Sequence, residues 1–209
     1  MAELADAQGL GPCSPHKGVE VQLLSAAHLI MDKNTYYQKQ FFILAVDKND
    51  HPVKKIERWQ AHKEGILHRG FTVILKCQNN FVLQHRKHPV FDGFFDLSFS
   101  SHPIFIGEKL QSFEEAIFKT FKREWISEEK NLEIKFLDKY YYMEKDEKSG
   151  YFEHEINYLY FINLKKPITN NSSYSYGMKM LTKEDLINQF EKINFAPWVK
   201  NDVYQKCLT

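Results

Sequence analysis

Two long strand-like runs joined by a short turn constrain this chain more than any other feature. Residues 132–145 read LEIKFLDKYYYMEK and residues 151–164 read YFEHEINYLYFINL, with Lys148-Ser149-Gly150 as the turn between them. Alternation in the second run puts Phe152, Ile156, Tyr158 and Tyr160 on one face, interrupted by His154. Tyr151, Glu153, Glu155 and Asn157 share the other. Residues i and i+2 on a strand lie about 6.5–7 Å apart. If the apolar face packs on the core, the two carboxylates point together into a polar site, where they repel unless a cation or proton sits between them. A solvated strand face is the alternative.

The rest of the chain supports a mixed sheet flanked by helices. FFILAV (41–46), a turn over 47–52 and VKKIERW (53–59) read as a hairpin or two linked strands. GFTVILKC (70–77), the turn Gln78-Asn79-Asn80 and FVLQHR (81–86) make a clearer hairpin. DGFFDLSFS (92–100) opens on a turn and continues as a strand. Ser112-Phe113-Glu114-Glu115 fits a capping box and starts a helix to about Ser127. Thr182 caps a second helix, with Leu186, Ile187 and Phe190 as its apolar stripe. The order predicts an α+β domain.

One residue of the first helix breaks its pattern. At about 100° per residue from Phe113, the residues Ile117, Phe118, Phe121 and Trp125 fall between about 40° and 140°. Lys119, Lys122 and Arg123 fall on the other side. Glu124 falls near 20° (about, on the same wheel), inside the apolar arc. A carboxylate there must be neutralised, paired or bound to a cation; an ion pair or a snorkelling side chain at the stripe's edge also meets that requirement.

Composition narrows the function classes. Lys+Arg is 28 and Asp+Glu 27, a near-balance that argues against a nucleic-acid partner but leaves room for a local basic pocket. No apolar run approaches the roughly 18–20 residues of a membrane span, and the first residues lack a secretory pattern. Three cysteines (Cys13, Cys77 and Cys207) give no disulfide framework. The expectation is a cytoplasmic protein with no membrane partner. Residues 1–30 contain no aromatic residue, unlike the Phe- and Tyr-dense remainder. They read as a non-globular tail or a mis-annotated start, with the domain at 31–209. Of nine histidines, His62 and His68 bracket AHKEGILH before a strong strand, and His102 follows another in SSHP. Imidazole is a common ligand for divalent metals, although no spacing here matches a zinc finger or HExxH.

Together the fragments AHKEGILHRGFTV, LQHR, SSHP, Gly107-Glu108, the helix, GYFEHE and Ala196-Pro197-Trp198 resemble type I isopentenyl-diphosphate isomerases of the Nudix superfamily. The resemblance runs in one order over about residues 41–204, with GYFEHE and LHRGF its most specific members. It implies a Nudix fold and a divalent metal (Mn²⁺, Zn²⁺ or Mg²⁺) held by His62, His68, His102, Glu153 and Glu155. It implies that Glu124 meets a Mg²⁺ bound with the substrate diphosphate. Arg58 and Arg86 match the residues that hold the diphosphate, and Lys87 or His88 stands near a further lysine of the family. Trp198 matches the aromatic facing the isoprenoid cation, and Tyr142 a nearby tyrosine. Glu155 matches the metal-linked catalytic glutamate. Such a site suits a reaction that protonates an alkene, passes a cationic carbon and removes a proton elsewhere.

The sequence departs from the family at its second catalytic group. A cysteine is expected two residues before the SHP histidine, and Ser100 stands there. A thiol titrates near 8.5 (about, in free cysteine) and a serine hydroxyl is far less acidic. The basic residue often found on the helix is Thr120, although Lys119 adjoins it. Two alternatives stay open. One is a Nudix hydrolase of a diphosphate-linked small molecule, which wants a helix box R-E-x-x-E-E; in the isomerase register only Glu124 survives, and a later register, Arg123-Glu124-Trp125-Ile126-Ser127-Glu128, still lacks one Glu. The other is a non-catalytic diphosphate-binding module. The oligomeric state is not legible.

Overall fold

The computed structural model describes residues 35–200. The expectation for residues 1–30 lies outside them. The described chain forms one nine-stranded mixed sheet with helices on it and two separate two-stranded sheets. Helix α1 is Thr35–Gln38. Strands β1 (Phe42–Val46) and β2 (Pro52–Glu57) form an antiparallel hairpin. Helix α2 (Arg58–Glu64) follows directly. Then come β3 (His68–Cys77), β4 (Asn80–Arg86), β5 (Phe95–Asp96) and β6 (Ser98–Ser101). A small hairpin of β7 (Phe105–Ile106) and β8 (Lys109–Leu110) leads to α3 (Phe113–Glu124) and β9 (Trp125–Ser127). Strands β10 (Lys135–Lys145) and β11 (Phe152–Leu164) are the two long runs. The described chain ends with β12 (Ile168–Asn170), β13 (Ser175–Leu181), α4 (Lys183–Gln189) and two 3₁₀ turns, Phe190–Lys192 and Pro197–Lys200.

Strand β3 is the hub. Along its whole length it pairs in parallel with β11, from Glu155 opposite His68 to Leu164 opposite Cys77. Its other edge is shared: β1 meets it at His68, β6 from Phe71 to Ile74, and β4 at Lys76 and Cys77. The expected 70–77/81–86 hairpin therefore pairs only beside its turn. Ser98 explains how the strands splay without losing backbone bonds. Its hydroxyl accepts from Leu75 N at 2.7 Å and donates to Val82 O at 2.6 Å, bridging β3 and β4. The expected continuous strand over 92–100 is for the same reason two pieces, β5 on β4 and β6 on β3.

Both faces of the sheet are covered. Phe71, Val73 and Leu75 of β3 pack with Tyr160 and Ile162 of β11 beneath Ala116, Ile117 and Phe121 of α3. Each such buried side chain contributes about 1.5–3 kcal/mol. The capping box forms as expected, with Glu115 N donating to Ser112 Oγ and Ser112 N to Glu115 Oε2, both at 3.1 Å. On the opposite face, Ile74 and Leu159 pack with Leu83, Trp198 and Leu186. Alternation makes His68, Gly70, Thr72, Glu155 and Asn157 share that second face, so the polar residues lie at one end of a buried apolar surface.

Four local expectations need correction. Arg58 and Trp59 leave the strand: the Glu57 carboxylate accepts from Gln60 N and caps α2, which Gly65 ends in the left-handed region at φ 64°. Helix α3 stops at Glu124, because Trp125–Ser127 pairs with β12 instead. Phe118, at the edge of the arc, is 39% exposed. Ile187 is half exposed, and Phe190 lies beyond the end of α4 in a 3₁₀ turn. No described helix is long and apolar enough to cross a membrane.

Candidate functional site

The register of β3 with its neighbours builds the site. Glu155 stands opposite His68 on one side, and on the other β6 sets Ser100 opposite Thr72 and leads into His102. Helix α2 brings His62, which it buries together with Arg58. The nearest ligand atoms of His62, His68, His102 and Glu153 all lie within 4.8 Å of one another. Glu155 adjoins them, with Oε1 2.8 Å from His102 Nε2 and 3.6 Å from His68 Nε2.

Hydrogen bonds behind the imidazoles fix which nitrogen faces inward. His62 Nδ1 lies 2.7 Å from Arg58 O, and His68 Nδ1 2.7 Å from Ile66 O. A carbonyl only accepts, so each Nδ1 carries the hydrogen and each Nε2 presents a lone pair. His62 Nε2 is buried without a hydrogen-bond partner, although Glu153 Oε2 is 3.3 Å away. His68 Nε2 and His102 Nε2 are 3.2 Å apart. Lone pairs and carboxylate oxygens thus converge on one small volume with few protons to share, the donor set a divalent cation satisfies.

The protonation balance follows. Burial pushes Glu155 up, but the adjoining imidazoles of His102 and His68 outweigh it, and its pKa is lowered. Burial pushes His102 down to about 4, only partly offset by Glu155. For His62 burial also pushes down, but the adjacent Glu153 carboxylate wins and its pKa rises. Tyr142, on β10 opposite Glu155, donates to Glu155 Oε2 at 2.7 Å. Burial and then the Glu155 charge raise the phenol far above its usual range, so it keeps its hydrogen.

Gly70 makes room for this arrangement. A Cβ there would stand 2.2 Å from the Glu155 carboxylate carbon and Oε1. Gly70 therefore serves a close approach, since its strand lets Glu155 fold back across it.

The same cavity, about 450 Å³ with the solvent at its mouth, holds a cationic half. Arg58, Arg86 and Arg123 line it with Glu124, Trp198 and Ser100. Arg58 is 4% exposed, and its Nε and Nη2 have no hydrogen-bond partner. Its guanidinium lies 4.3 Å from the Trp59 ring centroid. Arg86 Nε and Arg123 Nε are likewise unpartnered. Arg58, a buried cation with no carboxylate in ion-pair range among the described residues, is costly to leave so, and this half therefore fits an anionic ligand. Glu124 is buried as the wheel suggests, with Oε1 2.7 Å from Arg123 Nη2 and Oε2 3.2 Å from Gln84 Nε2. Lys87 is absent from the cavity lining; its Nζ donates to Ser172 O, while His88 lines the cavity.

Sequence reasoning missed several residues that line or support the cavity. Arg123 falls on the polar side of the wheel, yet its guanidinium turns inward, 3.8 Å from the Tyr36 ring centroid. Tyr36, Tyr37 and Trp59 complete an aromatic rim. Asp96 was missed altogether. It is fully buried in the FDLSFS strand, where a lone carboxylate between Phe95 and Leu97 was the available signal.

Comparison with known proteins agrees with this architecture. No family model matches the chain. It is 26% identical over 194 residues to the isopentenyl-diphosphate delta-isomerase of Schizosaccharomyces pombe, covering 81% of this chain and 85% of that one. It is 28% identical over 167 residues to isopentenyl-diphosphate Delta-isomerase 1 of Photorhabdus laumondii, covering 77% and 91%. Among solved structures, DR0079 from Deinococcus radiodurans superposes with a TM-score of 0.54 at 17% identity, covering 78% of this chain and 95% of that one. The fold is the α+β Nudix fold. In sequence, over about four fifths of its length, the chain is similar to isopentenyl-diphosphate isomerases.

Proposed function

We propose that this protein is an enzyme that isomerises isopentenyl diphosphate to dimethylallyl diphosphate, with Ser100 in the place of the family's cysteine. One observation carries the reading: an acceptor-rich His/Glu cluster and buried arginines with unpartnered guanidinium nitrogens share one cavity with Trp198. That pairs a cation site with an anion site beside an aromatic wall, the needs of a diphosphate whose hydrocarbon end becomes cationic.

His62, His68, His102, Glu153 and Glu155 would hold a divalent metal, Mn²⁺, Zn²⁺ or Mg²⁺. Bound, that ion, together with a Mg²⁺ near Glu124, supplies positive charge for oxygen ligands and diphosphate. Arg58 and Arg86, aided by Arg123, bind the diphosphate and orient its tail. Glu155 and Tyr142 form the hydrogen-bonded pair that handles the proton added to the alkene. The indole of Trp198 faces the cationic carbon. Ser100, on the other strand beside β3, takes part in removing the second proton. The partner is a small diphosphate. The hydrolase alternative needs several helix carboxylates around the cation. On α3 only Glu124 lines the cavity, while Glu114 and Glu115 sit in the exposed first turn.

Incubation with isopentenyl diphosphate and Mg²⁺ or Mn²⁺ tests the proposal by following dimethylallyl diphosphate and released phosphate together. Allylic product without phosphate is expected. Phosphate release would replace the isomerase with a hydrolase, and ligand binding with neither product would leave a binding module.

A further inference from the structure

Asp96 takes no part in the site as described so far, yet it is the most heavily hydrogen-bonded carboxylate near the cavity. Its Oδ1 accepts from Leu97 N at 2.8 Å and from Trp198 Nε1 at 3.2 Å. Its Oδ2 accepts from Arg86 Nη1 at 3.0 Å and from Ser100 Oγ at 2.8 Å. Three cavity residues from three separate elements are thereby held by one buried side chain.

The direction of the hydrogen bonds through Ser100 can be worked out. Asn157 Nδ2 lies 3.1 Å from Glu155 Oε2 and 3.0 Å from Thr72 Oγ1. That Glu155 oxygen also accepts from the Tyr142 hydroxyl, so the amide atom facing it is the NH₂, and its second hydrogen goes to Thr72. Thr72 Oγ1, accepting there, donates its own hydrogen to Ser100 Oγ at 2.9 Å. Ser100 in turn donates to Asp96. Every hydrogen in the chain Asn157, Thr72, Ser100, Asp96 therefore points toward Asp96. Ser100 lines the cavity, keeps one lone pair and has no hydrogen left to offer a ligand there.

We infer that Ser100 works as a proton acceptor backed by Asp96, and that Asp96 is the positioning residue that replaces the missing thiol. The inference rests on the isomerase reading above. In the step, the C–H bond beside the cationic carbon breaks and its electron pair becomes the new C=C bond. The proton goes to Ser100 Oγ, and the hydrogen already on Ser100 passes to Asp96 Oδ2. The carbon charge disappears and the carboxylate ends as a carboxylic acid. Asp96 then loses its proton to water and Glu155 regains one, which closes the cycle. Serine needs no thiol-like acidity for this, because it never carries a full negative charge. A C–H beside a cationic carbon is acidic enough for a buried carboxylate to accept its proton through the hydroxyl.

The test crosses Asp96→Asn with Ser100→Cys, using the full chain with Mg²⁺ and Mn²⁺ and measuring turnover of isopentenyl diphosphate. In the native background Asp96→Asn lowers turnover by about a hundredfold or more. In the Ser100→Cys background, where a thiol can act unaided, it lowers turnover by about tenfold or less. Equal losses in both backgrounds would make Asp96 a mere anchor for Arg86 and Trp198 and overturn the inference. Calorimetry adds a readout independent of turnover, with two diphosphates of equal shape, one ending in a tertiary ammonium and the other in a hydrocarbon. The native protein prefers the ammonium compound by about tenfold or more, and Asp96→Asn abolishes that preference while keeping most hydrocarbon binding. Ser100→Ala leaves the other Asp96 contacts in place and loses the same preference, so the test survives if Asp96→Asn fails to fold. Preference without turnover by the native protein or Ser100→Cys sinks the isomerase reading but leaves the Ser100–Asp96 polarity standing. Absence of the preference, or of binding altogether, sinks the inference.

Discussion

Two clusters of charge on this molecule use the same kinds of residue with opposite accounting. Around Asp50 everything is paired. Its Oδ1 accepts from Arg69 Nε at 2.7 Å, its Oδ2 accepts from Lys139 Nζ at 2.9 Å and from the Tyr158 hydroxyl, and its carbonyl accepts from Arg69 Nη2 at 2.7 Å. Burial pushes the Asp50 carboxyl up, but those three side chains more than offset it and its pKa is lowered. In the cavity, by contrast, His62 Nε2, two nitrogens of Arg58 and one each of Arg86 and Arg123 are buried without partners. A completed network holds a fold together. An incomplete one, with acceptors gathered at one end and donors at the other, is held ready for a ligand that brings the missing charges.

The strongest way to break this contrast is to spoil the incomplete cluster without touching a ligand. Gly70→Ala puts a methyl group into the space of the Glu155 carboxylate. Allylic product and Mn²⁺ affinity are expected to fall by about a hundredfold, as when a supporting residue of a metal site is lost. Unchanged Mn²⁺ binding, read by calorimetry, would mean that Glu155 is not held where the close approach implies. Next in size is Arg58→Ala. It should weaken inorganic pyrophosphate binding by about 2 kcal/mol or more in affinity while leaving Mn²⁺ binding intact. Equal losses for both ligands would show that the two halves of the cavity are not separate.

Smaller effects sharpen the comparison through pH. His102 is held at about 4 by burial against an ordinary 6.5. The unfolded chain therefore binds this proton first, and the metal-free protein loses stability as pH falls from 6.5 toward 4. His88, lowered by burial and by Arg86, acts in the same sense. Chelator-treated His102→Asn should show a shallower fall of Tm over that window, and an unchanged slope would remove His102 from the account. The smallest effect belongs to the completed cluster. Asp50→Asn should cost about 1–3 kcal/mol in urea unfolding at pH 7, with Mn²⁺ binding unaffected. Because the Asp50 pKa is lowered, that loss shrinks as pH falls below the carboxylate range. A change in Mn²⁺ affinity would join the two clusters that this account separates.

Much of this arrangement was legible in the sequence where pattern and chemistry disagreed. Glu124 on an apolar arc and Glu153 with Glu155 on one strand face are local anomalies, and all three are buried at the cavity. His62, His68 and His102 became readable only through the ordered resemblance, because a parallel β3–β11 register cannot be read from spacing. Arg123 was hidden because the wheel describes a helix axis, whereas a long side chain at the helix end can turn back over Tyr36. Asp96 was hidden because its partners, Arg86, Ser100 and Trp198, come from distant parts of the chain. Lys87 looked suitable by sequence, but Arg86 turns inward to Asp96 and its neighbour reaches outward to Ser172.

The central claim is that the cavity joins a cation site made of imidazole and carboxylate to an anion site made of arginine. Electron paramagnetic resonance of Mn²⁺ added to the full chain tests it most directly. The account predicts one tightly bound Mn²⁺ per chain with nitrogen couplings from histidine, loss of that signal in His62→Ala, and a change in its line shape when inorganic pyrophosphate is added. Mn²⁺ that stays free in solution, or binds without nitrogen coupling, would contradict it.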